Sequence, residues 1–493
     1  MNRIPTGLDG LDSVLYGGLP EFSNILIGGA PGTGKTILTQ NLLFNINRAT
    51  GRNVIYFTTV NEPQIKVLRY QQQFSFFNAE SFMESVIFQD LGSLIREKRL
   101  KDGLAAINNV VLKYNPIVIA IDSFKAIADF MPSKASFREF ISELSIHLSI
   151  WECTVLLTGE YLENELKTRQ EAALVDGILY LYGTEEQKFQ KRYLRVLKMR
   201  GTNFLPGEHV LQINQHGVRV FPRLTPEVQK QPFVFDKRRQ STGLTDLDNM
   251  LGGGLPTGTT TLISGCSGTG KSLLGLNWLM NGVQHNEPGM LVTFEQYPEQ
   301  IINNARSFGY RLDEMIQHNL LHILHVSPVE LDVDFHMAKI QNMVVEKKIK
   351  RLLIDSISAF EIGMADKYKF TDYIWGLTNY FKSQGISVVL INEIPELFHA
   401  HQLSKHGISF IADNIIVTQL VQKHFTLRRL LGVIKVRGSH CSTEMKELVL
   451  DDDGPVLIEA DWPGNGILSK EEAAPTCTNR DDDHPARQGG QQK

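Results

Sequence analysis

Gly29-Ala-Pro-Gly-Thr-Gly-Lys-Thr36 and Gly265-Cys-Ser-Gly-Thr-Gly-Lys-Ser272 stand 236 residues apart and share the pattern GxxxxGK[ST]. In this pattern the glycines let a loop wrap so that backbone N–H groups face phosphate oxygens. The following helix adds its positive end, and the lysine reaches the β- and γ-phosphates. Gly29, Gly32, Thr33, Gly34 and Lys35 are therefore candidate nucleotide ligands, as are Gly265, Gly268, Thr269, Gly270 and Lys271. The hydroxyls of Thr36 and Ser272 are candidate magnesium ligands. Each loop follows a strand-like apolar run, Asn24-Ile-Leu-Ile or Thr261-Leu-Ile-Ser, and opens a helical pattern, which is the context the motif needs. One match alone is a weak signal; two in register are a strong one.

Outward from the loops the likeness continues. Thr6-Gly-Leu-Asp-Gly-Leu-Asp matches Thr242-Gly-Leu-Thr-Asp-Leu-Asp at the same spacing, and Lys198-Met-Arg-Gly-Thr202 matches Lys435-Val-Arg-Gly-Ser439 at a spacing of 237. Ile119-Ala-Ile-Asp-Ser123 matches Leu352-Leu-Ile-Asp-Ser356 at 233. Near-constant spacing over this length marks a duplicated domain. The expected division is residues 1–230, 231–468 and a tail at 469–493 with almost nothing to bury, expected to be disordered. Pro222, Pro226 and Pro232 followed by charged residues mark the join.

Within each repeat, short apolar runs (Ile25-Leu-Ile, Val54-Ile-Tyr-Phe, Ile117 to Ile121, Thr154 to Thr158) alternate with helical patterns such as Ile37 to Arg48 and Phe137 to Ile150. Runs without polar alternation are strands covered on both faces, so the fold class is α/β, a mostly parallel sheet with helices on both sides. Ligands then belong at the carboxyl ends of the strands.

At 493 residues, 42% hydrophobic and 21% charged, the chain can bury a core in each half. Its 50 basic residues against 54 acidic ones give a formal charge of -4, so no global basic field exists to hold a nucleic-acid backbone. No apolar run is long enough to cross a membrane, and a cytoplasmic location is expected. The four cysteines form no CxxC pair, and His399, His401 and His406 lie in a polar stretch without companion ligands; no metal site is read there.

Asp122 and Asp355 end apolar strands, where a carboxylate orients magnesium or its water. Glu295, at the end of Leu291-Val-Thr-Phe-Glu, is the candidate catalytic carboxylate of the second repeat. Matching Phe57 with Phe294 sets Thr58 opposite Glu295, and Thr cannot act as a base. Glu62 is the nearest substitute, so the first site is expected to bind nucleotide more than it turns it over. Lys198 with Arg200, and Lys435 with Arg437, sit at i and i+2, which on a strand projects both cations from one face. Cations so placed suit a contact to the γ-phosphate held by another subunit.

Taken together, these motifs resemble those of the KaiC family of RecA-superfamily ATPases, over Thr6 to about Pro455. Ala305-Arg-Ser-Phe-Gly309 adds to the likeness. The resemblance implies two tandem RecA-like P-loop NTPase domains that bind ATP with Mg2+ between the subunits of a homohexamer. It also implies Glu295 as catalytic, the Lys/Arg strands as trans contacts, regulatory protein partners, and serine autokinase activity in the second domain. The stretch matching the family's phosphorylated region, Ile408 to Asp413, keeps Ser409 but has Phe410 beside it, and adjacent family glutamates are here Glu295-Gln296 and Thr58-Thr59. A DNA-dependent motor and an ATP-binding scaffold of little turnover are the competing readings.

Overall fold

The computed structural model describes residues 2–460 apart from 60–63, 83, 93–99, 128–132, 167–168, 187–188, 224–237, 328–332, 359–366, 395–409, 424 and 453. The expected tail at 469–493, Glu62, Ser409 and the three histidines at 399, 401 and 406 lie outside the described residues. The chain divides into two compact units, residues 1–227 with 332–343, and 228–331 with 344–493.

Domain 1 is built on β1 (Asn24–Gly29), β2 (Val54–Thr58), β3 (Val86–Asp90), β4 (Val118–Asp122), β5 (Thr154–Glu160), β6 (Gly177–Glu186), β7 (Phe189–Met199), β8 (His209–Asn214) and β9 (Gly217–Phe221). Their order across the sheet is β3-β2-β4-β5-β1-β6-β7-β8-β9. From β3 to β6 all neighbours are parallel; β7, β8 and β9 then extend the sheet as an antiparallel meander. Domain 2 repeats this order with β10 (Thr260–Gly265), β11 (Gly289–Thr293), β12 (Leu321–His325), β13 (Arg351–Asp355), β14 (Ser387–Glu393), β15 (Asn414–Lys423), β16 (Thr426–Val436), β17 (Met445–Asp451) and β18 (Gly454–Glu459).

Side chains alternate across a strand, so a strand apolar at every position must be covered twice. Ile25 and Ile27 of β1 pack with Leu38 and Leu42 of the helix α1 (Lys35–Thr50). Leu26 between them faces the opposite layer, with Phe140 and Leu144 of α2 (Lys134–Ile150). Each such fully buried leucine is worth about 2 kcal/mol. In domain 2, α3 (Lys271–Gln284) covers one face through Leu274 and Leu279, and α4 (Lys367–Ser383) packs on β14 with Phe370, Ile374 and Phe381 buried.

A carboxylate ties the start of the phosphate-loop strand to the start of its neighbour in both domains. Asp176 accepts the Asn24 backbone N–H at 3.0 Å, and Asp413 accepts that of Thr260 at 3.0 Å. The two differ in burial: Asp413 is 7% exposed and pairs with Lys382 of α4 at 2.6 Å, whereas Asp176 is 32% exposed. Removing one partner of a buried ion pair leaves the other charge uncompensated. Asp413→Ala is therefore expected to destabilise domain 2 by about 3–5 kcal/mol. Asp176→Ala loses one hydrogen bond and a solvated pair, about 1 kcal/mol. Urea unfolding of the two variants checks the order; equal midpoints would refute it.

Candidate active sites

Each phosphate loop leaves the carboxyl end of its strand and runs into a helix whose N-cap glycine is left-handed, Gly34 at φ 100° and Gly270 at φ 89°. A side chain at either position would be strained, which is why the motif has glycine there. Lys35 folds back so that its Nζ donates to Ala30 O at 2.9 Å, and Lys271 donates to Cys266 O at 2.7 Å. Thr33 and Thr269 hydroxyls donate to the same two carbonyls at 2.8 and 2.9 Å. Burial lowers both lysines below the ordinary range. Glu160 and then Asp122 oppose that shift at Lys35; Glu393, Cys266, Asp355 and Glu295 oppose it at Lys271.

The magnesium candidates meet as the motifs require. The Thr36 hydroxyl donates to Asp122 Oδ2 at 2.7 Å across the gap between α1 and β4. A hydroxyl and a carboxylate brought together beside a phosphate loop form a hard oxygen set that fits Mg2+. Asp122 also accepts from the Tyr56 hydroxyl at 2.6 Å and from Thr158. In domain 2 the register positions of those two residues hold Leu291 and Ile391, which offer no hydroxyl. Desolvation raises the Asp355 carboxyl above its usual range; the Ser272 hydroxyl opposes this, and Glu295 reinforces it.

Glu295, just past β11, is exposed and lines a cleft of about 190 Å³ with Ser272 and Asp355. The Ser356 hydroxyl donates to it at 3.5 Å. The sheet registers correct the alignment of the two repeats here. Thr58 is level with Asp122, and Thr293 is level with Asp355, so Thr58 answers to Thr293. Two residues further on, Val60 answers to Glu295 and Asn61 to Gln296, and Pro63 then falls on Pro298. Thr59, not facing the cleft as a base would, holds the strand end instead: its hydroxyl donates to Ser123 O at 2.8 Å and accepts the Ser123 N–H at 2.9 Å.

The cationic pairs sit elsewhere. Lys198 pairs with Ile178, which neighbours Leu26 of β1, while the phosphate loop leaves β1 at Gly29. The pair is thus at the other end of the sheet from its own loop. In both domains a β-bulge immediately precedes the lysine, shifting the register between Ile178 and Leu179 and between Ile415 and Ile416. A bulge re-aims the side chains that follow it. The arginine lies one residue past the strand end, so the expected i, i+2 strand spacing covers the lysine alone. Lys198 donates to Val175 O at 2.7 Å and Lys435 to Ala412 O at 2.7 Å. Arg437 pairs with Asp413 at 3.2 Å and Arg200 with Asp176 at 3.8 Å; both guanidinium groups are more than half exposed.

Two further residue pairs escaped the motif reading. Glu160 and Glu393 end β5 and β14 level with Gly29 and Gly265, and the spacing of 233 that links Asp122 to Asp355 links them too. Arg192 and Arg429, 237 apart, occupy the loop end of β7 and β16. Arg192 lines the domain 1 cleft of about 530 Å³, and Arg429 Nε donates to Gly268 O at 2.9 Å.

Two RecA-like sheets, each carrying a phosphate loop, a strand-end aspartate beside it and a cleft at the carboxyl ends of the strands, define a tandem P-loop ATPase. The chain belongs to the KaiC ATPase family, whose model matches it twice, at residues 4–225 and 240–461. It is similar to the circadian clock oscillator protein KaiC of Prochlorococcus marinus, 29% identical over 475 residues covering 93% of each chain. The protein of that name from Synechococcus elongatus is 28% identical over 93% of this chain and 89% of the relative. That from Thermosynechococcus vestitus is 28% identical over 95% and 91%. The family binds and hydrolyses ATP. Among the described residues no helix is long and apolar enough to cross a membrane.

Proposed function

We propose that this chain is a ring-forming, magnesium-dependent ATPase whose sites close between subunits, serving a clock-like or signalling role in the cytoplasm. In this reading the loop N–H groups with Lys35 and Lys271 bind the phosphates. Thr36 with Asp122, and Ser272 with Asp355, would hold Mg2+, which when bound would neutralise phosphate charge. Glu295 orients and deprotonates the attacking water in domain 2. Lys435 and Arg437, with Lys198 and Arg200 in domain 1, reach the γ-phosphate held by the next subunit. The carrying observation is the position of these cations at the far end of the sheet from their own loop. A homohexamer satisfies every site at once, because a head-to-tail interface closes into a ring.

Size-exclusion chromatography with light scattering, with and without Mg-ATP, tests the reading. Nucleotide is expected to drive monomers into a hexamer. Lys35→Ala is expected to weaken assembly more than Lys271→Ala, because nucleotide held in domain 1 bridges the subunit interface. A monomer at saturating Mg-ATP contradicts the reading. Turnover that rises sharply with single-stranded DNA favours a DNA-dependent motor instead, a reading that the net charge of -4 disfavours.

A further inference from the structure

We propose that Glu160 is the carboxylate that orients and deprotonates the attacking water in domain 1, the part given to Glu295 in domain 2. The assignment rests on nucleotide binding in the domain 1 cleft as described above.

The corrected register creates the need for it. Counting on through the sequence from the level of Thr58 and Thr293 sets Val60 opposite Glu295, and valine accepts no proton. Asp122 is already engaged by Thr36, Tyr56 and Thr158 and sits where magnesium is held. Among the described residues, Glu160 is the remaining acid lining the cleft, together with Lys35, Thr36 and Asp122.

Its position suits the task. Glu160 ends β5, which lies between the phosphate-loop strand β1 and the Asp122 strand β4, and it is level with Gly29 where the loop departs. A phosphate-loop lysine reaches the β- and γ-phosphates, and Lys35 lines the same cleft as Glu160. The backbone is pinned, since Lys125 Nζ donates to the Glu160 carbonyl. The side chain is exposed, and its carboxylate makes no hydrogen bond or ion pair among the described residues. A general base must stand within hydrogen-bond reach of the water it deprotonates, and a carboxylate on the wall of this cleft is placed for that. In domain 2 the carboxylate beside Ser272 and Asp355 is instead Glu295, which lines a cleft with both. The two sites therefore take their base from different strands.

The step balances as ordinary hydrolysis. The water oxygen bonds to the γ-phosphorus while the bond from that phosphorus to the bridging oxygen breaks, its electron pair leaving with ADP. The water proton passes to the Glu160 carboxylate and then to the departing phosphate.

The test uses the full chain carrying Glu295→Gln, so that remaining turnover comes from domain 1. Adding Glu160→Gln is expected to cut that turnover by about a hundredfold or more, with binding of a fluorescent ATP analogue to domain 1 unchanged. Glu160→Asp restores part of the rate. Analogue binding with turnover unaffected by Glu160→Gln overturns the assignment alone, as does a Glu295→Gln chain that binds but never turns over. Loss of binding in the Glu295→Gln chain itself overturns the wider nucleotide-site reading with it.

Discussion

Arg437→Ala is expected to lower ATP turnover at domain 2 by about 10³-fold, within the range a guanidinium aimed at a transferring phosphoryl group supplies. Nucleotide retention should change far less, because the loop and Lys271 hold the ground state. The reason lies in where the side chain is held. Asp413 is nearly buried and grips both Arg437 and Lys382, which presents the guanidinium at a defined height while leaving it 65% exposed. A solvated, preoriented cation meets a neighbour's phosphate without first being stripped from a buried partner. Arg437→Lys is expected to recover little, since a point charge on a flexible stem replaces a planar fork. Steady-state turnover alongside fluorescent-nucleotide binding checks this; loss of binding equal to the loss of rate would mean a ground-state contact instead.

Glu295→Gln is the second large effect, a fall of about 10² or more in domain 2 turnover. The substitution preserves shape, and the amide oxygen still accepts from the Ser356 hydroxyl, so folding and nucleotide binding should persist. Only the proton acceptor is lost. Single-turnover measurements with nucleotide prebound isolate the chemical step. A rate equal to that of the unaltered chain would remove Glu295 from the mechanism and favour a scaffold of little turnover.

What could be read from the chain followed from how local each signal is. The phosphate loops, the strand-end aspartates and the parallel strands were legible because each is a contiguous pattern with its own physical cause. The helical pattern from Ile37 to Arg48 lies inside Lys35–Thr50, and that from Phe137 to Ile150 inside Lys134–Ile150. Register was not legible from apolar side chains. Phe57 and Phe294 look alike, yet Phe57 pairs with Ile121 inside β2 whereas Phe294 lies past the end of β11. The hydrogen-bond ladder decides register, and the prolines at 63 and 298 were the better guide. Of the meander β7 to β9 only the end of β7 at Lys198 was read, because β8 and β9 are short. Glu160 and Arg192 escaped notice for a different reason: a single polar residue at a strand end carries no local pattern, and only the repeat spacing picks it out.

Mixing two proteins, each inactive at domain 2 and silenced at domain 1 by Glu160→Gln, tests the central claim most directly. Lys271→Ala subunits have a crippled domain 2 loop but an intact Arg437; Arg437→Ala subunits have the reverse. If each site is completed by a neighbour, coassembly with Mg-ATP creates interfaces that hold an intact loop and an intact arginine, and turnover returns. If the mixture, shown by light scattering to form joint assemblies, stays as inactive as its components, the sites are not shared and the account is wrong.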